Sequence, residues 1–128
     1  MDRYDPAQAP DPEQWLALDE QERIRLVEVL HRTERLKLPN LKAHAAFHAI
    51  VENQIAEGLD SVVRAMARLE RQGLSRHDCV HAIGWVVAQR LYELLNAKDP
   101  DSPAVAQARY DAAVGRIDAA TWRAQAHS

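Results

Sequence analysis

Apolar residues recur along this chain at spacings of three and four, and Gly or Pro interrupts the pattern at intervals. That spacing lines one face of an α-helix, whereas a half-buried strand needs alternation at every second residue. No alternating run and no hairpin dipeptide occurs. Ile24, Val27, Leu30 and His31 make one stripe, and Val62, Met66 and Leu69 another. Tyr110, Val114 and Ile117 make a thinner one. The chain is therefore expected to be all-α, a single-domain helical bundle of about five main helices whose short loops favour antiparallel neighbours.

Start and stop signals divide it. Asp11 and Pro12 open a short helix carrying Trp15, Leu16 and Leu18, with Pro at the first helical position. Asp19 opens a second that runs to about Arg35, with Glu22 in the place of a capping-box partner. Leu38-Pro39-Asn40 breaks the chain before a helix from about residue 41, which Gly58 ends. Asp60 or Ser61 starts the next, stopped by Gly73, with Arg64, Arg68 and Arg71 on its solvated face. Ser75 and Asp78 cap a long apolar helix reaching about Asn96. After the linker NAKDPDSP, Ser102 and Pro103 start a last helix over about 104–124. Residues 1–98 are read as the bundle core, with 1–11 an extended arm, and 99–128 as linker and C-terminal helix. That helix packs on the core or on a partner subunit. Because thin stripes often meet a partner, a two-fold homodimer is expected.

With 128 residues, 47% of them hydrophobic, the chain can bury a core without staples. Its net charge of −3 argues against a nucleic-acid partner. No stretch approaches the roughly 18 apolar residues of a membrane span. The N-terminus has no apolar leader, which makes the cytoplasm the default location. The single cysteine, Cys79, permits neither a disulfide framework nor a cysteine-based zinc site. Two positions from His77 and His81 on a helix, it points away from both.

The histidines carry the sharpest signal. His44, His48 and Glu52 stand at i, i+4 and i+8, His77 and His81 repeat the i, i+4 step, and Glu28 and His31 form a Glu-x-x-His pair. Residues four apart on a helix lie about 5–6 Å apart at Cβ, close enough for two imidazoles to share one ion at bonds of about 2.0–2.1 Å. On a helical projection His44 and His48 fall among Leu41, Val51, Ile55 and Leu59. His77 and His81 fall among Val80, Gly84, Ala88, Leu91 and Leu95, where Gly84 and Ala88 leave room beside the rings. An unsatisfied imidazole on an apolar face is costly. A divalent transition metal (Zn, Fe, Mn, Ni or Cu) would satisfy the set, with His44, His48, Glu52, His77 and His81 as ligands. Glu28 and His31 would be additional ligands or would orient the others. An open coordination position would let a bound water act as nucleophile. Against this stand a non-catalytic interaction protein whose histidines form a buried hydrogen-bond network, and a pH-responsive element. The remaining histidine, His127, is read as a solvated tail residue. Trp15, Trp85 and Trp122 are read as core or interface.

The segments YDPAQAPDPEQWLALDEQER, LPNLKAHAAFHAIVENQIAEG and GLSRHDCVHAIG resemble a family of small bacterial helical proteins of unknown function. The paired HxxxH is that family's most specific feature. The resemblance covers about Tyr4 to Asn96 and implies a helical fold but no reaction. A looser similarity links the chain to hemerythrin-like di-iron bundles, which combine a lone His, an HxxxE and an HxxxH on successive helices. His31, His48/Glu52 and His77/His81 follow that order. The chain departs from the pattern in the helix between Asp60 and Gln72 and in lacking an HxxxxD on the last helix, so oxygen binding is an analogy alone.

Overall fold

The computed structural model describes residues 1–33 and 41–126, which form seven helices and no strand. These are α1 (Pro12–Ala17), α2 (Glu20–Thr33), α3 (Leu41–Ala56), α4 (Asp60–Arg71), α5 (Arg76–Leu95), α6 (Pro103–Arg116) and α7 (Ala119–Ala126). The Leu38-Pro39-Asn40 break, the expected end of the second helix near Arg35 and His127 lie outside the described residues. No helix among the described residues is long and apolar enough to cross a membrane.

The caps work as the sequence suggests. Asp11 accepts from the Glu13 amide, Asp19 from Glu22, Ser75 from Asp78 and Ser102 from Val105. Each bond satisfies an amide the first turn would otherwise leave open. α4 is the exception: Leu59 precedes it without a side-chain cap, and Asp60 is already helical. Gly58 and Gly73 take positive φ, 72° and 98°, where a side chain would be strained. Each closes a Schellman-type end, with Leu59 N bonded to Gln54 O and Leu74 N to Leu69 O.

Two apolar clusters share α3 as their common wall. Tyr4, Trp15, Val27, Ala45 and Ala49 join the arm, α1 and α2 to one side of it. Val51 joins the other side to the larger cluster, built on Val62, Leu69, Val80 and Ile83. α3 packs against both α2 and α5, which explains why it is apolar around much of its circumference.

Three expectations change. The arm is irregular but anchored, because Tyr4 is buried and Arg76 Nη1 donates to Pro6 O at 3.0 Å. The last helix is two helices: Ile117 adopts an extended ψ of 145°, and Asp118 then caps α7 by accepting from the Thr121 amide at 2.7 Å. Arg68, expected on a solvated face, donates to the Val114 and Ile117 carbonyls at 2.9 and 3.1 Å, and Gln72 accepts from the Ala119 amide. The α6 stripe meets its own chain, since Tyr110 and Val114 belong to the larger core.

Candidate metal centre

α3 and α5 lie side by side, and each carries histidines four residues apart on the shared face. The four imidazoles converge. Ring centroids stand 4.7 Å apart for His44 and His81, 5.1 Å for His48 and His81, 5.4 Å for His48 and His77 and 4.2 Å for His77 and His81. His44, His48 and His81 each offer a ligand nitrogen within 4.8 Å of the other two. The Nε2 atoms of His44 and His81 are 3.2 Å apart. Two nitrogens bound to one tetrahedral ion at about 2.0–2.1 Å stand about 3.3 Å apart, so this edge already has the required length. His48 is buried, while His44 and His81 are half-buried.

Glu52 is turned to another task. Its carboxylate is fully buried and paired bidentately with Arg76, at 2.7 Å for both contacts. The Tyr4 hydroxyl also donates to Glu52 Oε2 and lies 2.6 Å from His48 Nε2. A phenol has one proton, and here Glu52 accepts it. The His48 contact therefore has the ring N–H donating to Tyr4 Oη, which fixes the tautomer with its lone pair on Nδ1. Burial, reinforced by the charge of Glu52, holds the Tyr4 hydroxyl well above its usual pKa, so it remains a neutral donor. Arg76, Glu52 and Tyr4 together fix which nitrogen His48 can offer to an ion.

Tyr4 and Arg76 do not stand out in the sequence, though each left a trace. Tyr4 is an aromatic residue in an otherwise polar arm, and Arg76 places a cation at the positive end of a helix. Glu28 is half-buried on α2 and contributes no atom to the three-nitrogen cluster. His31 falls within α2, but its side chain lies outside the described residues. Cys79 is buried in the larger core, away from the imidazoles as expected. Burial first, then Glu70 and Asp78, push its thiol up to about 11, so it stays protonated near neutrality.

His44, His48 and His81 also line a cavity of about 370 Å³, walled by Phe47, Trp85 and Trp122. The small side of α5 at Gly84 and Ala88 borders it. Trp85 is 47% exposed at its rim. No protein-family model matches the chain, and neither a curated protein nor a solved structure is significantly similar to it.

Proposed function

We propose that this protein binds a divalent transition metal between α3 and α5 through His44, His48 and His81. The observation that carries the reading is the three-nitrogen cluster, with its 3.2 Å edge between His44 and His81. Glu52 is held by Arg76 and Tyr4, which leaves an all-imidazole donor set. Such a set favours Zn, Cu, Ni or Fe over Mn. Glu52 then acts through Tyr4 to orient His48, as outer partners of ligating histidines do elsewhere. Three protein nitrogens leave a fourth position for water or a ligand, the pattern of a working site rather than a closed structural one.

The runner-up reading is a metal-free histidine network, favoured by the same 3.2 Å contact, which one imidazole N–H can also bridge. Metal analysis of untagged protein separates the two. Under the metal reading the protein carries stoichiometric ion, chelator lowers its melting temperature, and the right ion restores it by mass action. His48→Ala abolishes that response. Protein without stoichiometric metal that melts identically with and without chelator would overturn the proposal in favour of the network.

A further inference from the structure

We infer that the cavity beside the three histidines receives a small, largely apolar organic molecule, aromatic or branched aliphatic. Its one polar end would supply an oxygen or nitrogen donor to the metal. The inference rests on the metal reading above. The same His44, His48 and His81 that cluster their nitrogens also form part of the cavity wall. A three-nitrogen centre has a fourth position to fill, and this is the space those histidines face.

The remaining wall sets the ligand class. Phe47, Trp85 and Trp122 are aromatic, and among the described residues no Asp, Glu, Lys or Arg lines the cavity. A phosphorylated or sugar-like ligand would lose its water shell there without recovering hydrogen bonds. A flat or branched apolar group would gain from burial against the rings. The volume of about 370 Å³ lies at the lower end of the range for small-molecule sites, which suits a single-ring molecule rather than a dinucleotide. Two features of the fold acquire a purpose in this reading. The break before Asp118 starts the short helix α7, which brings Trp122 to the cavity. Trp85, left 47% exposed on α5, stands where an entering ligand would cover it.

The test uses full-length protein loaded with Co²⁺, whose visible absorption bands report both the ion in a low-coordinate nitrogen site and any new donor on it. Two probes carry the same metal-binding group and differ only in the tail: benzohydroxamate has a phenyl ring and acetohydroxamate a methyl. Both are expected to shift the cobalt bands, with benzohydroxamate binding about tenfold tighter or more, as burial of a phenyl group demands. Ala88→Phe, which fills the cavity, should bring that ratio close to one. Trp85→Ala, at the exposed rim, should lower it several-fold with little demand on folding. Cobalt bands that neither probe shifts, equal affinity for the two probes, or a ratio untouched by both substitutions would overturn the cavity inference and leave the metal site standing. Absence of cobalt bands in the wild-type protein would overturn both.

Discussion

The Tyr4 hydroxyl lies 2.6 Å from His48 Nε2 and bonds Glu52 as well. A residue of the N-terminal arm thus connects the imidazole cluster to the buried Arg76–Glu52 pair. The arm is closed onto the bundle by the same group of contacts, since Arg76 also holds the Pro6 carbonyl. Folding of the arm and orientation of His48 are therefore one event.

Tyr4→Phe should expose that link. The ring keeps its place against Trp15, 5.6 Å away between centroids, but the His48 N–H loses its acceptor and Glu52 one of its donors. Stability should fall by about 1–3 kcal/mol, the cost of leaving buried polar groups unpaired. Metal affinity should fall about 10–100-fold, as when an outer partner of a ligating histidine is removed. Denaturant melts and competition with a chromogenic chelator measure the two effects. A variant that retains wild-type metal affinity would show that Tyr4 serves the arm alone.

The all-α architecture was legible because the signals are local. Asp11, Ser75 and Ser102 each cap a helix from within a few residues, and Gly58 and Gly73 end theirs in the same way. The division of α6 from α7 was not legible. The three-and-four spacing runs unbroken from Tyr110 to Ile117, while the groups that stabilise the break, Arg68 and Gln72, come from α4 and its end. The same contrast holds at the site. The convergence of His44, His48, His77 and His81 follows from spacing on apolar faces. The role of Glu52 does not, because whether a carboxylate faces an ion or a guanidinium depends on Arg76, on another helix. Tyr4 and Arg76 themselves become visible only once the chain has folded.

Arg68 and Arg64 offer a comparison on one helix. Arg68 donates to two carbonyls at the end of α6, where acceptors are left open and the helix dipole is negative. Arg64 pairs with Asp60 in the open, with both side chains about three-quarters exposed. Arg68→Ala should cost about 1.5–3 kcal/mol, in the range of charged hydrogen bonds. Arg64→Ala should stay within about 0.5 kcal/mol. Equal losses in urea denaturation would remove Arg68 from the joint between α6 and α7.

Tyr110 gives a pH test away from the histidines. Burial first, and then the charge of Asp111, pushes its hydroxyl up to about 12, and the hydroxyl donates to Gln54 Oε1 at 2.6 Å. In the unfolded chain the same group titrates near 10. Its contribution to stability is therefore complete below about pH 10 and is lost as pH rises toward 12, because there the unfolded chain gives up the proton more readily. Tyr110→Phe has no such loss. The stability advantage of wild type over this variant should shrink between about pH 10 and pH 12, by up to about 1.4 kcal/mol per pH unit inside the window. A constant difference would show that the hydroxyl titrates alike in both states.

The buried Arg76–Glu52 pair allows stability and metal orientation to be separated. Arg76→Leu leaves a fully buried carboxylate without its counter-ion, and should cost about 3–5 kcal/mol. Replacing Glu52 by Leu as well removes the stranded charge, so the double variant should recover much of that loss, as apolar substitutes for buried ion pairs often do. Orientation should not recover with it. Without Glu52 the Tyr4 proton has no carboxylate to accept it and can turn toward His48, which then offers Nε2 as an acceptor and carries its proton on Nδ1. A histidine held in that tautomer commits its one lone pair to Tyr4, so neither nitrogen is left to bind an ion. The double variant should therefore melt close to wild type yet bind metal about 10–100-fold more weakly. Measured side by side by thermal denaturation and chelator competition, recovery of both properties would mean that the Arg76–Glu52 pair serves only to offset its own charges.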